Sequence, residues 1–84
     1  MRPQLFLTKR FQKSYEKLDA KVQTRVKKAL NIISNDPTAG KPLTGELKGE
    51  YSYRIGNWRI IYTIERTNIW LETVGHRREV YKKR

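Results

Sequence analysis

Apolar residues recur along this chain with a helical period in the first half. Thr8 and Asp19 are plausible helix N-caps because their side-chain oxygens can accept from the first free backbone N–H groups. Asn35-Asp36-Pro37 then ends the second pattern, since the residue before a proline is disfavoured in the α region. The pattern predicts two helices that form an antiparallel hairpin through a very short turn near residues 18–21. The apolar positions are Phe11, Tyr15 and Leu18 in the first helix and Val22, Val26, Ala29, Leu30 and Ile33 in the second.

The second half of the chain changes to the alternating period of strands. Residues 51–55, 58–64 and 69–74 are three predicted strands, with Gly56-Asn57 as a hairpin turn and residues 66–68 as the next turn. Alternation puts Tyr53 and Trp58 on the face that we assign to the helices, and Arg54 and Arg59 on the opposite face. The third of these strands is nearly continuously apolar, so its facing stays open.

These elements, with a first strand over residues 3–7 and a loop over residues 37–49, give the order β-α-α-β-β-β. The prediction is an α+β fold in which a helical hairpin packs on one face of a small, mainly antiparallel sheet. A chain of 84 residues has room for one core, so we expect a single domain over residues 1–84. The face without helices is expected to be partly open.

Charge restricts the function classes. Nineteen Lys and Arg residues against eight Asp and Glu residues give a net charge of +11, which attracts nucleic acid, an acidic protein or an anionic membrane surface. Membrane is the weakest of these because no apolar run approaches the roughly 20 residues of a spanning helix. No signal-peptide segment is recognisable, so the cytoplasm is the expected location. The absence of cysteine excludes disulfides and thiolate metal sites, and with a single histidine we expect no zinc site.

Cations and aromatic residues near the strand ends suggest RNA chemistry. Any single arginine is most simply a solvated surface charge, and His76 or Tyr81 alone is most simply a rim or core residue. Together with Arg59 and Arg77 they have the residue types for cleaving RNA through its 2′-OH without a metal. That reaction needs a base for the 2′-OH, cations for the phosphorane and an acid for the leaving 5′-oxygen. We expect Arg54 and Arg59 to face His76, Arg77 and Tyr81.

Three motifs in this order resemble the RelE/ParE superfamily of toxin–antitoxin toxins, and the RelE branch in particular. The resemblance covers essentially the whole chain, including its size, charge and element order. The motifs are Lys41-Pro42-Leu43-Thr44-Gly45-Glu46-Leu47-Lys48-Gly49, Tyr53-Arg54-Ile55-Gly56-Asn57-Trp58-Arg59-Ile60-Ile61-Tyr62 and Val74-Gly75-His76-Arg77-Arg78-Glu79-Val80-Tyr81.

The resemblance implies a cytoplasmic toxin with the RelE-like microbial RNase fold that cuts messenger RNA in the ribosomal A site. It implies a metal-independent endoribonuclease without a cofactor, held inactive by an acidic, RelB-like antitoxin. By position, the resemblance makes Arg59, Arg77, Tyr81 and His76 the catalytic residues and Arg54 an RNA-binding residue. The other cations that we expect to bind RNA are Lys48, Arg78, Lys82 and Lys83. Some relatives carry a lysine pair on the strand before the Gly-Asn turn that is missing here. The general base therefore stays open among Lys48, Glu46, Glu50 and Tyr81.

Two other functions compete with the nuclease. A ParE-like toxin would bind DNA gyrase and cut no RNA, and fold alone does not separate it from a nuclease. The arginines, histidine and tyrosine near the end of the chain favour the nuclease. A plain RNA-binding domain is the third alternative, and the missing signature of an RNA-binding module speaks against it.

Overall fold

Two helices and five strands make up the parts of the chain that the computed structural model describes, residues 3–45 and 49–78. A single turn of 3₁₀ helix, Pro37–Ala39, follows the second helix. The elements are β1 (Gln4–Leu7), α1 (Lys9–Glu16), α2 (Ala20–Asn35), β2 (Lys41–Pro42), β3 (Glu50–Ile55), β4 (Trp58–Glu65) and β5 (Asn68–His76).

Both helices begin at the residues that the sequence predicts. The Thr8 hydroxyl accepts from the Phe11 N–H at 3.1 Å, and the Asp19 carboxylate accepts from the Val22 N–H at 2.9 Å. The Thr8 hydroxyl also donates to the Leu71 carbonyl at 2.8 Å, which ties the start of α1 to β5. The two capping bonds satisfy N–H groups that a helix leaves without partners, and the bond to Leu71 fixes where α1 sits on the sheet.

The strands form one mixed sheet in the order β1-β5-β4-β3-β2. β1 runs parallel to β5, and the other neighbours are antiparallel. The predicted α+β architecture is confirmed. The two-residue strand β2 was not predicted, because it lies in a segment whose Pro and Gly content is typical of a loop.

The core lies between the helices and one face of the sheet. Alternation along β3 and β4 sends Ile60 and Tyr62 into it, and Tyr53 and Trp58 pack against its margin, as the sequence predicts. The cluster consists of Phe11, Leu18, Val22, Val26, Ala29, Ile33, Ile55, Ile60, Tyr62, Ile69, Leu71 and Val74.

A register shift interrupts the pairing of β4 with β5. Ile61 pairs with Thr73 whereas Tyr62 pairs with Leu71, so Glu72 is an extra residue on β5. Such a bulge disrupts the ladder locally and shifts the alternation of the side chains. Next to it, the N–H of Val74 donates to the hydroxyl oxygen of Ser14 at 3.1 Å. Helix α1 thus supplies a hydrogen-bond acceptor at the bulge.

Ser14→Ala should lower the free energy of unfolding by about 1–3 kcal/mol, because the N–H of the buried Val74 would lose its acceptor. Urea denaturation of both proteins measures the difference. Thr24→Ala is the control, since that exposed hydroxyl bonds to the Ala20 carbonyl of its own helix. The control should change stability by less than about 0.5 kcal/mol. An equal effect of the two substitutions would show that the contact at the bulge contributes nothing specific.

Tyr62 holds the segment after α2 against the sheet. Its hydroxyl donates to the Pro37 carbonyl at 2.7 Å and accepts from the Gly40 N–H at 2.9 Å. Burial raises the pKa of this phenol above 10.0, and the hydrogen bond from Gly40 opposes the shift only in part. Tyr62 therefore remains a neutral donor and fixes the path of the chain into β2.

Candidate phosphate-binding site

Two arginines stand side by side on the sheet face opposite the helices. Arg54 on β3 and Arg59 on β4 are direct cross-strand partners. Arg54 Nε donates to the Gly56 carbonyl at 3.2 Å, and Arg59 Nη1 donates to the same oxygen at 3.3 Å. Like charges directly opposite each other on a sheet are unfavourable. Within residues 3–45 and 49–78, neither guanidinium is paired with a carboxylate, so the pair can take up an anion.

The turn between β3 and β4 organises this pair. Gly56 has a φ of +59°, a conformation that glycine adopts without steric cost, as the predicted Gly-Asn turn requires. The turn aims the Gly56 carbonyl at both guanidinium groups, which fixes their positions before a ligand arrives. Each guanidinium has five N–H donors, and one or two contacts to backbone oxygens leave others for a phosphate.

Arg77 joins this turn from the end of β5. Its backbone N–H donates to the Asn57 carbonyl at 2.9 Å. The side chains of Arg77 and Arg78 are exposed. The structure therefore brings the side chains of Arg54 and Arg59 and the backbone of Arg77 to a single two-residue turn, although these residues are up to 23 positions apart in sequence. We call these three residues the arginine cluster.

His76 does not lie on the face of the arginine pair. It is the cross-strand partner of Trp58, and its ring meets the indole edge-on with centroids 5.8 Å apart. On β5, the cross-strand partner of Arg59 is Gly75. The expectation that His76 faces Arg59 was therefore wrong. The reason is the extra residue Glu72 in β5. Without it, strict alternation from Ile69 would have put His76 on the face of the arginine pair.

The sheet face that carries the arginine pair is less open than expected. Ser52 and Ile61 are cross-strand partners on this face, and their exposed fractions are only 8% and 1%. Neither belongs to the core cluster on the helix side. The accessible cations are consequently at the turn end of the face and not along its middle. Glu50 is on the same face but four residues from Arg54 along β3, about 13 Å at the usual rise per residue.

Several predicted residues lie outside the described parts of the chain. They are Tyr81, Lys48, Lys82, Lys83 and the candidate base Glu46. Their roles stay predictions.

One cation at the turn was not singled out from the sequence. Arg25 of α2 reaches the helix side of the turn, where its Nη2 atom lies 3.4 Å from the position that a Cβ on Gly56 would occupy. The sequence indicates only that Arg25 lies off the apolar stripe of its helix. No local pattern links it to a turn 31 positions later.

Nothing in the described ranges suggests a metal centre, because no three His, Cys, Asp or Glu side chains there are grouped to hold an ion. The described helices also include none that is long and apolar enough to cross a membrane.

Comparison with known proteins identifies the family. The family model for the ParE toxin of type II toxin–antitoxin systems, parDE, matches residues 5–81. Toxin RelG from Mycobacterium tuberculosis is 38% identical over 58 residues, which cover 66% of this chain and 67% of RelG. A chain in the crystal structure of the RelBE2 toxin–antitoxin complex from the same organism is 30% identical. That match covers 92% of this chain and 100% of the other, with a TM-score of 0.83.

The isolated RelE toxin from E. coli has the same fold. Its TM-score is 0.74 at 24% identity, with 96% of this chain and 93% of that chain covered. These matches agree with the family that the sequence resembles. The chain belongs to the RelE/ParE superfamily of type II toxin–antitoxin toxins.

Proposed function

We propose that this toxin is an endoribonuclease that cuts messenger RNA through the 2′-OH on the ribosome. The observation that carries the proposal is the arginine cluster. Arg54 and Arg59 are held on one carbonyl without a carboxylate partner in the described ranges, and Arg77 adjoins the same turn. Planar guanidinium groups bind phosphate oxygens through paired hydrogen bonds, which suits a phosphodiester in an RNA strand.

In the proposed reaction, the 2′-oxygen loses its proton and attacks the adjacent phosphorus. The bond from phosphorus to the 5′-oxygen breaks, and the 5′-oxygen takes up a proton, so atoms and charge balance. Arg59 and Arg77 stabilise the charge that accumulates on the phosphorane, and Arg54 helps to hold the strand. Preorganised donors of this kind contribute more to the transition state than to the ground state.

The proton transfers are assigned by resemblance. Tyr81 is a candidate for one of the two transfers, as the acid for the 5′-oxygen or as the base, and the other candidates for the base are Lys48, Glu46 and Glu50. His76 is a weaker candidate for direct proton transfer than the sequence suggested, because it shares a face with Trp58. Its Nδ1 accepts from the Arg78 N–H at 3.3 Å, a contact that fits a role in holding the chain after β5.

The proposed partners are polyanions. Several structural relatives are toxin–antitoxin complexes, including RelBE from E. coli and RelB–RelE from Methanococcus jannaschii. By analogy, an acidic, RelB-like antitoxin would neutralise this +11 chain in the cytoplasm. The ribosome would supply the A-site message.

A ParE-like toxin that binds DNA gyrase is the second candidate. The observation that favours it is the family model itself, which describes ParE. The arginine cluster favours the nuclease, since adjacent guanidinium groups match the oxygens of a phosphodiester.

Mapping of 5′ ends on a translated message tests the two candidates. Purified toxin added to programmed ribosomes should give new 5′ ends within the A-site codon, and the same message without ribosomes should stay uncut. The same toxin incubated with gyrase and plasmid should give no trapped cleavage complexes. Uncut message on the ribosome together with trapped gyrase complexes would overturn the nuclease proposal and support the alternative.

A further inference from the structure

Helix α2 contains basic residues but no acidic residue. Residues 20–35 include four cations and no Asp or Glu. Three of the cations, Lys21, Arg25 and Lys28, are exposed and follow one another at intervals of four and three residues, so they share one side of the helix. We call these three residues the basic stripe. Like charges at this spacing destabilise a helix, which makes a purely structural reason for the stripe unattractive.

The basic stripe meets the arginine cluster at the β3–β4 turn. Arg25 approaches Gly56 from the helix side, with its Nη2 atom 3.4 Å from where a Cβ on that glycine would lie. Arg54 and Arg59 contact the carbonyl of the same glycine from the other face of the sheet. Cations thus continue from one face to the other around the rim. From Lys21 to Lys28 the stripe then extends by about 10 Å along α2.

We infer that the basic stripe binds the phosphates of RNA that continues past the turn from the arginine cluster. This inference rests on the proposed nuclease function and adds a second stretch of substrate contact to it. The RNA backbone would pass from the scissile phosphate at Arg59, around Gly56, to Arg25 and along α2. Arg25 is then a positioning residue that holds the strand and does not touch the reacting atoms.

An acidic protein segment fits the basic stripe less well. Protein partners rely on buried apolar and aromatic anchors as well as charge. An apolar groove lies on the other side of α2, toward α1, with a volume of about 340 Å³. Leu7, Phe11, Tyr15 and Leu30 line it together with Lys27. The stripe itself offers three cations, and continuity with the arginine cluster favours a phosphate backbone.

Measuring RNA binding by the Arg25→Gln and Lys27→Gln variants tests the inference. Each substitution removes one positive charge from α2, but only Arg25 belongs to the basic stripe. The full-length chain would be titrated with 2′-O-methylated, uncleavable single-stranded RNA at several salt concentrations. We expect Arg25→Gln to weaken binding about two- to fivefold, as for an exposed ion pair. The salt slope should fall by about 0.7 for one lost phosphate contact. Lys27→Gln should change neither value, and Arg25→Lys should restore the slope.

Equal salt slopes for Arg25→Gln and Lys27→Gln would overturn the inference. So would a loss of affinity without a change of slope, which would indicate that Arg25 only supports the turn.

Polyglutamate serves as the acidic protein probe. Loss of its binding in Arg25→Gln, with RNA binding intact, would assign the stripe to an acidic partner instead. Arg25→Gln should keep kcat and raise KM for cleavage of message on programmed ribosomes, so failure of the nuclease proposal remains visible separately as absent cleavage by the unsubstituted chain.

Discussion

Arg59→Ala should lower the rate of message cleavage on programmed ribosomes by about 10²–10³-fold, the usual loss when one donor to a developing oxyanion is removed. The expected loss is large because Arg59 is held by the Gly56 carbonyl at the place where phosphorane charge would accumulate. Single-turnover cleavage with saturating toxin measures the chemical step. Arg10→Ala is the control for charge, since Arg10 is an exposed residue of α1, and it should cleave within about threefold of the unsubstituted toxin.

The same substitution should leave stability unchanged or raise it by up to about 1 kcal/mol, because it relieves the repulsion between Arg59 and its partner Arg54. A variant that loses activity without losing stability has lost catalysis and not its fold. Urea denaturation of the Arg59→Ala and Arg10→Ala proteins provides the comparison. Inactivity that comes with an early unfolding transition would mean that Arg59 is structural, and the role assigned to it would be withdrawn.

Local signals in the sequence were sufficient to predict most of the fold. Thr8, Asp19 and Pro37 mark helix ends through side-chain capping and proline sterics, which depend on neighbours only a few residues away. The alternation in β3 and β4 likewise predicts that Arg54 and Arg59 share a face, and their cross-strand pairing confirms this. Such features follow from short-range physics, so one sequence is enough to predict them.

Features that depend on distant parts of the chain were missed. The extra residue Glu72 is accommodated where Ser14 supplies an acceptor, and nothing within β5 indicates this. One added residue transfers His76 to the face of Trp58, so the error in the candidate site came from the register and not from the choice of residue types. Arg25 was missed for the same reason, since its relation to Gly56 exists only after α2 has packed on the sheet.

Tyr62→Phe should lower the free energy of unfolding by about 1–3 kcal/mol at neutral pH, since it leaves the buried Gly40 N–H without its acceptor. A domain of this size has only about 4–12 kcal/mol of stability, so the change is substantial. Tyr53→Phe is the matched control, because its hydroxyl has no hydrogen bond to any residue of the described ranges, and its effect should stay below about 0.5 kcal/mol.

The stability difference between the unsubstituted protein and Tyr62→Phe should also depend on pH. Burial raises the pKa of Tyr62 above 10.0, so at alkaline pH the unfolded chain loses this proton before the folded chain does. The folded state then binds more protons, and stability falls as pH rises, by at most about 1.4 kcal/mol per pH unit from this group. The phenol's contribution is therefore complete below about pH 10 and declines as pH rises toward the folded-state pKa.

Urea denaturation of both proteins from about pH 7 to 11 should give a difference that is constant at first and then shrinks. A difference that stays constant across this range would show that Tyr62 titrates alike in the folded and unfolded states, which contradicts a pKa raised by burial.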